Sequence, residues 1–206
     1  MRVIPGTRFV ISSIALTCAL AGDGGAGNDN VFRPGPASGY AHQSADQVTV
    51  GAKPYDNEDL TAEAFGKKAD LLKYGVLPVL VVIENKREKA LDLRDLEVNL
   101  VAADGRHVGP MNPEDIPYLA QRGAKRPSAT PRTPIPLPSK KNPLNVPEIV
   151  ERAFSAKMLP PGDSASGFFY FEAKSEAGDK LYVNGLRDAR SQQEILYFEF
   201  PLNQRL

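Results

Sequence analysis

The side chains able to do chemistry are few, and their spacing narrows the choice further. The chain has one cysteine, Cys18, and two histidines, His42 and His107. A multi-cysteine zinc or iron–sulfur site is thereby excluded, and histidine-based metal or acid–base chemistry has little to draw on. Serines are plentiful, but no Gly-x-Ser-x-Gly elbow is present to expose one as a nucleophile. Asp56-Asn57-Glu58-Asp59 lacks the D-x-D-x-D-G spacing and distant glutamate of a calcium loop, and reads instead as a helix cap with acids on the positive helix end. No metal site, no cofactor site and no catalytic constellation is expected. Carboxylate pairs assembled by folding remain the one route to an enzyme, a hydrolase of glycosidic bonds.

The densest charge feature is segment 122–147. It holds seven prolines, six cations (Arg122, Lys125, Arg126, Arg132, Lys140 and Lys141) and no acid. Six cations without a local counter-charge suit phosphate, lipid headgroups or an acidic protein surface. Pro131-Arg-Thr-Pro134 and Pro134-Ile-Pro-Leu-Pro138 favour polyproline geometry, ready to dock in an aromatic groove. A solvated insertion, stiffened by proline and kept soluble by charge, is the plainer reading of the same residues. Over the whole chain 25 basic residues balance 25 acidic ones. That leaves no sequence-wide positive field, and no nucleic-acid partner is expected.

The N-terminus points to export. Arg2 and Arg8 precede an uncharged, strongly apolar run from Phe9 to Gly22, the layout of a secretory signal peptide and shorter than the roughly 18 residues of a permanent span. Two processing routes stay open. Ala19-Leu20-Ala21 is a small-x-small cleavage site, giving a signal over 1–21. Alternatively Cys18 is the lipidated residue of a lipoprotein, although Ala15 and Thr17 stand where a lipobox usually has Leu and Gly or Ala. Either route removes the thiol from redox or nucleophilic chemistry. Residues 22–47, rich in Gly, Asn, Asp, Ser and Pro without apolar periodicity, are expected to form a disordered tether.

A folded domain over 48–206 must position whatever the surface offers. Val48 and Val50 begin a strand; Asn57 caps a short helix ending at Gly66; Gly75–Asn85, dense in β-branched residues, is the strongest strand. Pro78 is tolerated only at that strand's start or on an edge. Leu96, Val98 and Leu100 alternate with polar residues, and Asp104-Gly105 signals a two-residue hairpin turn. Asn112-Pro-Glu-Asp115 opens one helix, and a second is predicted from Asn145 to about Met158, with Ile149, Val150, Ala153 and Phe154 on its apolar stripe. Residues 167–173, 180–184 and 194–200 read as strands rich in aromatics, which are expected to pack in the core. Together these elements describe a mainly β protein: an antiparallel sandwich with two or three short helices and a Pro-rich insertion.

Leu77-Pro-Val-Leu-Val-Val-Ile-Glu-Asn85, the strand at Leu96–Gly105, and Leu159-Pro-Pro-Gly-Asp-Ser-Ala-Ser-Gly-Phe-Phe-Tyr-Phe171 resemble the immunoglobulin-type, telokin-like domains of bacterial envelope lipoproteins. There a strand ending in Asn and a Pro-Gly turn leading into a "sGf.yF" strand are framework features. The resemblance implies a non-catalytic extracytoplasmic binding or structural module. Together with the export signal, the tether and the basic loop, the expectation is a protein of the periplasm or cell envelope, secreted or lipid-anchored, that contacts an envelope protein or anionic surface. An envelope-polymer hydrolase and a carbohydrate-binding module are the alternatives. The latter requires an exposed array among Phe168, Tyr170, Tyr182 and Tyr197.

Overall fold

The computed structural model describes residues 32–122, 142–195 and 197–202, with only the backbone at 121 and 122. A 3-10 turn at Ala37–Gly39 leads into β1 (Ala41–Ala45), which pairs antiparallel with β2 (Val48–Pro54). The two residues between them, Asp46 and Gln47, have φ of 47° and 61°, as a tight hairpin matched to strand twist requires. This corrects the tether expected up to residue 47: from Phe32 onward the segment is built into the domain. The usual Asn-Gly signal is missing, and the side chains of β1 from His42 to Ser44 are exposed, so nothing apolar betrays the strand. What fixes it is long-range. Ala37 N–H donates to Glu84 Oε1 at 2.8 Å, and Ala37 packs so closely on Gly51 that a Cβ there would lie 2.5 Å from its carbonyl oxygen. Phe32 meets the Tyr55 and Phe168 rings at 6.0 and 5.5 Å between centroids, with the Arg152 guanidinium over its face. Residues 22–31 of the expected tether lie outside the described residues.

Helix α1 (Glu58–Phe65) starts as read, with Asn57 Oδ1 accepting from Leu60 N–H at 2.9 Å and Gly66 at φ 82° ending it. Next comes β3 (Val76–Asn85), the central strand of the first sheet. Pro78 is tolerated there because its carbonyl accepts from Tyr55 N–H, one residue past the end of β2. Its missing N–H therefore falls where that ladder stops. After β4 (Leu91–Asp92) and β5 (Glu97–Val101), the chain reverses into β6 (His107–Val108). The turn is a three-residue loop, not a two-residue one. Ala102 pairs with Arg106, and Gly105 closes the loop at φ 84°.

A capped 3-10 turn at Pro113–Asp115 runs into α2 (Ile116–Arg122), and α3 covers only Pro147–Glu151. The helix predicted to reach Met158 stops early because its next residues pair with a strand. Phe154 N–H donates to Phe168 O at 3.1 Å and Phe168 N–H to Arg152 O at 2.8 Å. Gly167 permits this approach, since a Cβ there would sit 2.4 Å from Phe154 Cα. Met158 belongs instead to β7 (Met158–Leu159), followed by β8 (Ser164–Glu172), β9 (Lys180–Asn184), β10 (Arg187–Asp188) and β11 (Phe198–Pro201).

The protein is an antiparallel β-sandwich. One sheet has the order β1-β2-β3-β8 and the other β11-β9-β5-β6, with a small sheet β10-β4-β7. Leu77, Val79, Val81 and Ile83 of β3 face Val98, Leu100, Leu181, Val183, Phe198 and Phe200 across the main core. The alternate residues Val76, Leu80 and Val82 face a second core with Ala64, Phe65, Ile116, Leu119 and Ile149 of the three helices. The helices and the Phe32–Tyr40 strap thus form a third layer on the outer face of the first sheet.

Asn85, 1% exposed, ties β3 to two turns. Its amide donates to the carbonyls of Lys89, Leu159 and Pro160 at 2.8–3.1 Å, and its Oδ1 accepts from Arg87 N–H at 3.1 Å. Its backbone also pairs with Asp163 and Gly162 of the Pro-Pro-Gly-Asp turn. Asn85→Ala is therefore expected to lose about 2–4 kcal/mol in chemical denaturation, the cost of stranding buried polar groups, and Asn85→Asp to fare no better, because a carboxylate would face those carbonyls. A chain beginning at Val48 should show a lower unfolding midpoint and bind a hydrophobic dye, whereas one beginning at Phe32 should match the full chain.

Candidate functional site

Two surface features stand out, at different places on the sandwich. At one end, the β1–β2 turn, the chain after β3 and the chain after β10 enclose a cleft of about 450 Å³ lined by Ala45, Asp46, Arg87, Asp188, Gln193, Glu194 and Ile195. Arg87 Nη2 lies 3.0 Å from Asp188 Oδ2 and 3.2 Å from Asp46 Oδ2, while its buried Nη1 makes no hydrogen bond among the described residues. Asp188 also accepts from the N–H groups of Arg190 and Ser191 at 3.0 and 2.9 Å, and Lys89 Nζ is 3.8 Å away. The Ser191 N–H above all, with Arg190 N–H and Lys89, holds the Asp188 pKa down at about 2. Asp46, Gln47 and Gln192, the non-glycine residues with positive φ among the described residues, lie in the two loops that border this end.

That cleft is an ion-paired closure. A general acid or base needs a pKa near the working pH, and Asp188 is ionised throughout the neutral range. Asp92 behaves alike: the Arg94 guanidinium grips both its oxygens and holds it well below the carboxylate range. These acids fix loops and are poor proton shuttles.

The second feature is the outer face of the β11-β9-β5-β6 sheet. Inward positions Val98, Leu100, Leu181, Val183, Phe198 and Phe200 alternate with outward ones. The register then lays the outward residues in rows: Val101 beside Lys180 and Pro201, Asn99 beside Tyr182 and Glu199, and Glu97 beside Asn184. Tyr197, 63% exposed, stacks on Tyr182 with centroids 6.4 Å apart and planes within 25°. Lys180 Nζ is 2.7 Å from Glu199 Oε1. Lys180 first, and then the neighbouring Tyr182, lowers the Glu199 pKa. From β1, Gln43 Oε1 accepts Glu199 N–H at 3.0 Å, which covers the free edge of β11. Gln43, Lys180, Tyr197, Glu199 and Pro201 line an open groove of about 690 Å³.

The sequence-derived candidates fall elsewhere. Arg122 ends the backbone of α2; Cys18, Lys125, Arg126, Arg132, Lys140 and Lys141 lie outside the described residues. Of the four aromatics needed for a platform, Phe168 and Tyr170 are buried in the second core, and the Tyr170 hydroxyl donates to Ile149 O at 2.7 Å. Only Tyr182 and Tyr197 reach the surface. His42 and His107 are both exposed and on different sheets. Sequence reasoning missed Asn184, Asn99, Glu97 and Gln43; the period-2 alternation of 97–101 and 180–184 was the signal that places the first three outward.

No family model and no curated protein matches the chain. Among solved structures, it is similar to a "putative lipoprotein" from Bacillus subtilis (11% identity, TM-score 0.40, 81% of this chain and 40% of that one). It is also similar to the yjhA protein of Bacillus subtilis (11%, 0.44, 79% and 96%) and to a secreted protein of Mycobacterium tuberculosis, MPT63 (15%, 0.33, 80% and 95%). No TM-score here reaches 0.5, so the likeness adds nothing to what the two sheets themselves show. Among the described residues no helix is long and apolar enough to cross a membrane.

The low pKa of Asp188 has a direct consequence. An aspartate at about 3.9 when unfolded and about 2 when folded contributes stability that is complete above its unfolded pKa and is lost as pH falls through the folded one. Asp92 acts in the same direction. Denaturation midpoints should be flat from neutral pH to about 5, then fall steeply towards pH 2. Asp188→Asn should lower the plateau and shrink the fall, as measured by urea denaturation across that range.

Proposed function

We propose that this protein is a non-catalytic binding or structural module of the bacterial cell envelope, carried outside the cytoplasm as a secreted or lipid-anchored immunoglobulin-like domain. The observation that carries this reading is the asymmetry of the sandwich. The first sheet's outer face is covered by helices, whereas the second sheet's outer face is uncovered by any described element and displays Tyr, Asn, Glu and Lys side chains. Surfaces of this mixed aromatic and polar kind are suited to contact. The apolar N-terminal run after Arg2 and Arg8 supports export, and the framework residues around Asn85 support the family reading. The partner is an envelope component, and the basic Pro-rich loop (Lys125, Arg126, Arg132, Lys140, Lys141) is a second candidate contact.

The test is photo-crosslinking in cells of the tagged full chain with benzoylphenylalanine in place of Tyr197, compared with the same probe in place of Glu63 on the helical side. A specific envelope adduct is expected only from the first. Equal labelling from both, or none from either, sinks the reading. Reversing Lys125, Arg126, Lys140 and Lys141 to Glu in the same cells assigns the loop: unchanged recovery removes it from the contact. Fatty-acid labelling with and without Cys18→Ser decides the anchor.

A further inference from the structure

We propose that Tyr182 and Tyr197 are the stacking platform for a flat, β-linked polysaccharide chain, hydrogen-bonded by Asn99, Asn184, Glu97 and Glu199; this rests on the binding-module reading above. Tyr197, 63% exposed, is the most exposed large apolar side chain described on this face. The same face carries planar polar groups: Glu97 beside Asn184 in one row, and Asn99 and Glu199 on either side of Tyr182 in the next. A lipid or an apolar protein surface would leave those groups stranded.

The charge of the face argues the same way. Glu97 and Glu199 outnumber Lys180, whose ammonium is already engaged by Glu199 at 2.7 Å. The face is thus a poor host for phosphate or for an acidic surface, and a suitable one for a neutral polyol, whose hydroxyls donate to carboxylates and accept from amides. A pyranose with equatorial substituents offers a flat C–H face to an aromatic ring and a rim of hydroxyls in the plane of the sheet. The two tyrosine rings are near-parallel, with centroids 6.4 Å apart.

Preorganisation supports the assignment. Glu199 is held by Lys180 and through its backbone by Gln43, and Asn184 Nδ2 donates to Glu97 Oε2 at 3.2 Å. Polar groups fixed before binding lose less freedom when a ligand arrives. The groove beside them leads towards Gln43 and Pro201, which gives a chain longer than two sugars room to continue.

The chain contains no tryptophan, so tyrosine emission is a clean reporter. The full-length protein is titrated with chitotetraose and cellotetraose, both β-1,4-linked, and with maltotetraose, whose α-linkages curl the chain. Saturable binding of at least one β-linked probe, and weaker binding of maltotetraose, is expected by fluorescence and calorimetry. Tyr197→Ala should weaken it by about tenfold, the scale of one lost aromatic stack, while Tyr197→Phe retains most of the affinity and both variants keep the parent's unfolding midpoint. No saturable binding by either β-linked probe, equal binding of maltotetraose, or unchanged binding in Tyr197→Ala overturns the proposal. If those titrations fail while the probe at position 197 still captures a protein in cells, the saccharide assignment falls and the binding-module reading stands. If both fail, both fall.

Discussion

The burial of β3 on both faces is the constraint from which the rest of the architecture follows. Val76, Leu77, Val79, Leu80, Val81, Val82 and Ile83 are all 2% exposed or less, and each such side chain is worth about 1.5–3 kcal/mol only while covered. One face is covered by the second sheet. The other needs a second cover, which the three short helices and the N-terminal strap supply. None of these helices exceeds eight residues, too short to hold its shape alone. Their stability is borrowed from Val76, Leu80 and Val82 beneath them, and in return they keep water off the sheet. Asn85 closes the same strand at its far end, where its side chain gathers the carbonyls of two loops.

Because the helical layer is committed to one side, the sandwich is asymmetric. Among the described residues, the outer face of the β11-β9-β5-β6 sheet is the one left uncovered. The sandwich end near Arg87 looks chemically richer, with five ionisable groups and strained loop residues, but most of its charges are directed at one another. Asp188 holds Arg87 and two backbone N–H groups, and Arg87 spans to Asp46. This arrangement ties three loops together. The tyrosine-bearing face has the opposite character. Its charges are fewer, its Tyr197 ring is open to solvent while Tyr182 is half-buried, and its polar groups are held in position without being buried.

Much of the fold was legible locally. Asn57 and Gly66 bracketed α1 because a cap and a left-handed terminator act within one turn of chain. The β-branched run at 76–83 and the alternation at 97–101 and 180–184 announced strands for similarly local reasons. Legibility failed where a partner distant in sequence decided the outcome. The β1–β2 hairpin carries no glycine or asparagine at its turn and is held by Ala37, Gly51 and Glu84. Residues 152–154 have helical periodicity, yet Gly167 lets β8 approach closely enough to capture their backbone. The candidate site was half legible: Tyr182 and Tyr197 were named together with Phe168 and Tyr170, and composition alone has no means of telling a core ring from a surface one.

By itself the sequence determined the class: a chain with an export-like start, too few cysteines and histidines for the common metal and thiol chemistries, and strand patterns that close into an antiparallel sandwich. Those properties reside in residue counts and in periods of two or 3.6, which neighbours along the chain enforce. Only the tertiary structure decided which face of each sheet is covered. Strand alternation says that two faces differ but not what lies over either one, and that depends on contacts between residues tens of positions apart. The helical layer over the first sheet, the burial of Phe168 and Tyr170, and the exposure of Tyr197 are all consequences of that long-range choice.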